Sequence, residues 1–147
     1  MSAEENKMVI RRYTDEVLNQ GKMDRLDQVL ADNFTNHDPG NPGVVSRDDY
    51  KQFLTGLRSA FPDLHFTHED EVADGDEVAV RWTMRGTNRG ELAMPAGPVP
   101  PTGKQVQVSG ISILRLAGGK MVEQWIHGDN LGFLQQLGLI PAPEAGA

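Results

Sequence analysis

Apolar residues recur at helical spacing in the first part of the chain and at strand spacing afterwards. From Glu4 to Asn19, Val9, Tyr13 and Val17 stand at i, i+4 and i+8 with Ile10 and Leu18 beside them, which predicts a helix with one apolar face. Gly21 follows where a C-terminal glycine belongs. A second helix is predicted over roughly Met23 to Ala31, with Leu26, Val29 and Leu30 on one side and Phe34 closing the cluster. Asn33 to Val45 is dense in Asn, Pro and Gly and reads as a loop, with His37 directly before Asp38-Pro39. Ser46 is the N-cap of a third helix, and Asp49 three residues on makes a capping-box-like pair with it. That helix turns Tyr50, Phe53, Leu54 and Leu57 inward and stops at Phe61-Pro62.

Beyond Pro62 the period shortens to two. Leu64 to Ala73 alternates loosely, and Asp74-Gly75-Asp76 signals a hairpin turn. Glu77 to Thr87 is a strand with Val78, Val80, Trp82 and Met84 on one face and Ala79, Arg81, Thr83 and Arg85 on the other. Asn88 to Gly103 is too rich in proline for regular structure, and Lys104 to Leu116 is a further strand. After the turn Ala117-Gly118-Gly119 a last strand runs into a short terminal helix. Helices first and a meander of hairpins afterwards predict an α+β fold: N-terminal helices on one side of a strongly curved, mainly antiparallel sheet, enclosing a conical cavity suited to a small apolar ligand.

The last strand carries the candidate chemistry. Alternation puts Glu123, Trp125, His127 and Asp129 on one face and Val122, Gln124, Ile126 and Gly128 on the other. A tryptophan in the middle of the polar row argues for burial. Polar groups on a buried face must be paired or must do chemistry. This face is therefore expected to line the pocket, with Asp129 as the reactive group and His37 and His127 as hydrogen-bonding or proton-shuttling partners. Trp125, Trp82, Phe53, Glu123 and Arg81 are the expected substrate-binding residues. Each has a structural alternative. Asp129 directly precedes the terminal helix and is suited to cap it, His37 suits a turn, Glu123 and Arg81 suit ion pairs, and the tryptophans suit the core.

Composition narrows the class. At 147 residues the chain is expected to be one domain, ordered over about 4–140 with a frayed tail at 141–147. The net charge of -7 and the lack of a basic patch disfavour nucleic-acid binding. There is no cysteine, which removes disulfides and thiolate metal sites, and the four histidines show no ligand spacing, so no metal is expected. No apolar run is long enough to span a membrane, and the opening MSAEENKMV lacks a signal-peptide pattern; the expectation is a cytoplasmic protein.

Taken in order, several segments form a further pattern. They are Phe34-x-x-His37-x-Pro39, Phe61-Pro62-Asp63, Asp74-Gly75-Asp76-x-Val78, Arg85-Gly86-Thr87 and Pro100-Pro101-Thr102-Gly103-Lys104-x-Val106 through to Gly110. Gly119-Lys120-x-x-Glu123-x-Trp125-x-x-x-Asp129 and Gln135-Gln136-Leu137-Gly138 complete it. With these the chain resembles the SnoaL-like polyketide cyclases, within the superfamily of nuclear transport factor 2 and ketosteroid isomerase. The resemblance implies a cone-shaped α+β barrel, a homodimer or homotetramer, and a pocket beneath the helices. It also implies intramolecular aldol condensation of a carbonyl-bearing polyketide ester without cofactor or metal, with the catalytic aspartate at Asp129. Two other readings stand beside it. One is proton transfer or epoxide opening on the same fold, with Tyr13 or Tyr50 as an oxyanion donor or Arg81 or Arg85 beside the carboxylate. The other is a non-catalytic small-molecule-binding module.

Overall fold

The computed structural model describes residues 2–142, so most of the expected frayed tail lies outside the described residues. Helix α1 (Ala3–Tyr13) opens with a reciprocal capping box between Ser2 and Glu5. It continues as a π-helical segment, Thr14–Asn19, whose wider turn rotates the following side chains relative to a regular helix. The second helix is much shorter than its periodicity predicts. A turn of 3-10 helix (Met23–Arg25) leads into α2 (Leu26–Val29), and the chain is already extended at Leu30. Helix α3 (Arg47–Ala60) starts at the Ser46–Asp49 capping box, as expected, and buries Tyr50, Leu54 and Leu57.

The strands are β1 (Leu30–His37), β2 (His65–Asp74), β3 (Glu77–Thr87), β4 (Leu92–Met94), β5 (Gly97–Val99), β6 (Gln105–Ala117) and β7 (Lys120–Gly128). A short helix, α4 (Asn130–Gln136), follows. The main sheet runs β1-β7-β6-β3-β2, and only the β1–β7 pair is parallel. The fold is thus α+β, with N-terminal helices against a mixed, mostly antiparallel five-stranded sheet. Two expected loops hold strands. The segment expected to be a loop from Asn33 begins as β1, which pairs with β7 nearly ninety positions later and buries Phe34 and Asn36. The proline-rich stretch contains the small hairpin β4–β5, separate from the main sheet. Among the described residues no helix is long and apolar enough to cross a membrane.

On β3 the four residues expected to share a face do so, and that face is the inward one: Val78, Val80, Trp82 and Met84 are all buried. On β7 the inward face is the opposite of the expected one. Gln124 is buried, and Ile126 and Gly128 face the helices with it. A bulge at Val122 carries this parity, because Arg115 pairs with Glu123 while Leu116 pairs with Met121. The face with Glu123, Trp125 and His127 lies beside the exposed Ile111 and Ile113 of β6, on the outside of the sheet.

Trp82 lies over a row of glycines. It stands opposite Gly110 on β6, which stands opposite Gly128 on β7. A Cβ at Gly110 would fall inside van der Waals contact with the indole edge, and one at Gly128 would crowd it. The ring is held there by Nε1 donating to Ser112 Oγ (2.9 Å) and by an edge contact with Phe66, ring centroids 5.4 Å apart. Gly110→Ala should therefore cost about 1–3 kcal/mol, the usual range for overpacking a filled core. Urea denaturation of the variant measures it, and an unchanged midpoint contradicts the role given to the glycine row.

Candidate functional site

Between the helices and the sheet lie two adjoining cavities. The inner one, of about 60 Å³, is lined by residues that include Tyr13, Thr14, Asp38, Tyr50, His68, Trp82, Ser112 and Gln124. The outer one, of about 570 Å³, is bounded on one side by every residue from Leu92 to Val99, that is, by the β4–β5 hairpin. Its other walls are mainly apolar, among them Phe53, Met84, Phe133 and Leu139. Asp38, Phe53, Leu57, Phe66, Trp82 and Ile126 border both, so Trp82 forms a shared floor. A mostly apolar pocket with a few convergent polar groups at its inner end is the usual form of a small-molecule site.

The helix periodicities bring two hydroxyls together at that inner end. Tyr13 closes α1 and Tyr50 lies in the first turn of α3, both on inward faces, and their hydroxyl oxygens are 2.5 Å apart. Burial pushes the Tyr13 hydroxyl well above its ordinary range, with Tyr50 adding to the shift. Burial also raises Tyr50; its hydrogen bonds to Tyr13 and Gln124 pull the other way, and the Asp38 charge adds to the rise. Both tyrosines therefore stay protonated and act as donors rather than bases. Gln124 Nε2 in turn donates to Asn36 Oδ1 (2.8 Å), which ties the pair to β1 and β7.

Asp38 follows the end of β1 in an Asx-type turn. Its Oδ1 accepts from the Gly40 N–H (2.9 Å) and its Oδ2 from Asn41 Nδ2 (3.0 Å). The carboxylate is half-buried and faces both cavities. Among the described residues that line them, Asp38 and His68 are the only ones with Asp, Glu, His, Lys or Arg side chains.

The expected site residues divide into two groups. Trp82 and Phe53 line the cavities. Asp129, His37, His127, Trp125, Glu123 and Arg81 are not among the lining residues. Asp129 is exposed and caps α4, its Oδ1 accepting from the Gly132 N–H at 2.9 Å. His37 stacks on Trp125, ring centroids 5.4 Å apart, and its Nε2 lies 2.7 Å from Glu123 Oε2. Glu123 also accepts from Arg115 (2.9 Å); that bond first, and then His37, holds its carboxyl below the usual range. Arg81 pairs with Asp70 on the outside of the sheet (2.6 Å), and His127 is exposed. Of the expected constellation only His37 and Trp125 gather around Glu123, and they do so on the sheet's outer face, because β7 turns that side outward. Sequence reading left Asp38 and His68 out of the site. Their signals were an aspartate before proline and a histidine on the inward parity of β2.

The helices, the sheet order and the cavity beneath them define the α+β class of nuclear transport factor 2. Residues 8–137 match the family model described as SnoaL-like polyketide cyclase. The chain belongs to that family. Among solved structures, it is similar to a candidate polyketide cyclase from Acidithiobacillus ferrooxidans, with 33% identity and a TM-score of 0.79 over 95% of this chain and 99% of that one. AclR, a candidate hydroxylase from Streptomyces galilaeus, aligns at 27% identity and a TM-score of 0.84 over 98% and 87%. IdmH, a candidate polyketide cyclase from Streptomyces antibioticus, aligns at 30% identity and a TM-score of 0.75 over 90% and 98%. No curated protein matches the sequence.

The geometry assigns Asp129 a stabilising contact that can be measured. Asp129→Ala should lower stability by about 1 kcal/mol, the usual cost of removing a helix cap. Thermal melting at neutral pH reads it. A loss of ligand binding without a loss of stability would contradict the capping role.

Proposed function

We propose that this chain is a cofactor-independent acid/base enzyme that acts on a small, apolar, carbonyl-bearing compound, with ring closure by intramolecular aldol condensation as the family's reaction. One observation carries the reading. A half-buried carboxylate, Asp38, borders the same inner cavity as a hydrogen-bonded pair of tyrosine hydroxyls that stay protonated. Asp38 takes a proton from the carbon next to a carbonyl. The Tyr13–Tyr50 pair donates to the enolate oxygen as charge develops there. The enolate carbon then attacks a second carbonyl held nearby by the apolar walls, a carbon–carbon bond forms, and the new alkoxide takes a proton. Holding the two reacting carbons together is itself a large part of the acceleration.

The cavity walls support a neutral ligand. No lysine or arginine lines either cavity among the described residues, and the outer chamber is apolar on most sides. A ligand carboxylate or phosphate buried there would meet no lysine or arginine and would lie against the Asp38 carboxylate, which is costly. Binding as a homodimer or homotetramer remains part of this proposal. The outward face with Ile111, Ile113 and Val72 supports it as a surface that a second copy would cover.

The family position and the geometry point to different carboxylates, and one experiment separates them. The probe is β-tetralone, a neutral bicyclic ketone whose exchange of α-protons for deuterium in heavy water is followed by proton NMR. Asp38→Asn should slow exchange about 10²–10⁴-fold, the range of a general base, and Tyr50→Phe should slow it about 10²-fold as a lost oxyanion donor. Asp129→Asn should leave the rate within a small factor of wild type. The reverse pattern transfers the role to Asp129. Tight binding of β-tetralone with no exchange by the wild type favours the binding-module reading.

A further inference from the structure

Edge strand β2 contains a bulge with a chemical consequence. His68 pairs with Trp82 and Asp70 pairs with Arg81, which leaves Glu69 as the extra residue. In a regular strand, His68 and Glu71, three positions apart, would face opposite sides. The bulge turns them to the same side, and Asp70 goes outward to Arg81 instead. His68 Nδ1 then lies 3.1 Å from Glu71 Oε2, and Arg11 Nε on α1 donates to both Glu71 oxygens at 2.8 and 3.1 Å.

The other ring nitrogen points into the site. His68 Nε2 is 2.8 Å from Thr14 Oγ1, and both residues line the inner cavity with Asp38, Tyr13 and Tyr50. Thr14 is the first residue of the π-helical segment. That segment is fastened to β2 by Asn19, whose Oδ1 accepts from the Phe66 N–H (2.7 Å) and whose Nδ2 donates to the Phe66 carbonyl (3.0 Å). Two local irregularities, a bulge and a π-turn, thus meet at one hydrogen-bonded chain: Thr14, His68, Glu71, Arg11. Irregular backbone of both kinds is frequent beside functional sites.

The ionised Glu71 can only accept, so Nδ1 carries the proton and Nε2 is left to exchange one with Thr14. The Thr14 hydroxyl both donates and accepts, so it relays. We propose that Thr14, backed by His68 and Glu71, is the group that protonates the new alkoxide, while Asp38 works at carbon; this rests on the acid/base reading of the cavity. In the condensation direction the Thr14 O–H proton passes to the alkoxide oxygen as the imidazolium Nε2 proton passes to Thr14 Oγ1. His68 is left neutral with its proton on Nδ1. The proton that Asp38 took from carbon leaves to solvent, and His68 takes one from solvent to close the cycle. Thr14 touches the reacting oxygen, and His68 and Glu71 act through it. The charged or titratable groups around His68 are Glu71 on its own strand, Arg11 from α1, and Asp38, Tyr13 and Tyr50 across the cavity.

The test separates the oxygen step from the carbon step. Cleavage of the benzaldehyde–acetone aldol adduct, followed by benzaldehyde absorbance, begins with removal of the hydroxyl proton. β-Tetralone exchange reports the carbon step alone. His68→Gln and Thr14→Val should each lower adduct cleavage about 10²-fold more than they lower β-tetralone exchange. Thr14→Ser should restore cleavage. Glu71→Gln no longer fixes the proton on Nδ1, so it should lower adduct cleavage more than it lowers β-tetralone exchange. A wild type that exchanges β-tetralone but does not cleave the adduct, or His68→Gln cleaving as fast as wild type, overturns the relay and leaves the Asp38 reading standing. A wild type that does neither overturns both. Circular dichroism and melting of each variant guard against loss of fold: Thr14→Val that is folded and equally slow in both reactions counts against the relay.

Discussion

The architecture depends on one steric fit, the indole of Trp82 laid across Gly110 and Gly128. Three strands contribute one residue each to this row, and only the absence of two side chains lets a ring that large reach across the neighbouring strands. Burying an aromatic of this size is among the larger single gains available to a domain of this length. Its one polar atom is satisfied by Ser112, so the gain is not offset by an unpaired donor. The same ring is the floor shared by both cavities. Packing and pocket shape therefore have a common origin, and a residue with a Cβ in the row would disturb both.

Around that floor the interior polar groups are held in closed sets. Tyr13, Tyr50, Gln124 and Asn36 form one, and Thr14, His68, Glu71 and Arg11 the other. Among the described residues no buried side-chain nitrogen or oxygen lacks a partner. A fully satisfied buried network fixes side chains in one arrangement, whereas a partly satisfied one costs stability. That is why hydroxyls with raised proton affinity can sit in an apolar cavity without destabilising it, and in the proposed reaction the same network would pre-align them for a developing oxyanion. The apolar hairpin over the outer chamber contributes differently. It belongs to no strand of the main sheet, and its residues from Leu92 to Val99 all border the cavity.

Legibility in the sequence followed the range of the forces involved. The capping box at Ser46, the turn at Asp74-Gly75-Asp76 and the shared face of Val78, Val80, Trp82 and Met84 are set by neighbours within a few positions, and all were readable. Strand β1 was not, because its partner β7 lies far along the chain and its own residues are rich in loop formers. Alternation on β7 correctly separated its two faces but could not say which was inside. Trp125 made the wrong face look buried, when its ring is covered in part by His37 from the neighbouring strand. The bulges at Val122 and Glu69 escaped notice for the same reason. A single inserted residue reverses parity, and no composition marks it.

Asp129 shows how local energy and family position compete for one residue. A carboxylate immediately before a helix gains a hydrogen bond from the first turn and a favourable dipole, and in this structure it makes that bond from an exposed position. Asp38 is different. Among the described residues its two oxygens are engaged within its own turn, by Gly40 and Asn41, and the carboxylate still borders the chamber that the two tyrosine hydroxyls line. Similar structures include both candidate cyclases and a candidate hydroxylase, so the fold alone does not select a reaction. What selects it is which ionisable groups the strand parities and helix faces turn inward. In this chain a carboxylate, an imidazole and two protonated phenols face one small volume, and among the described residues no lysine or arginine lines it.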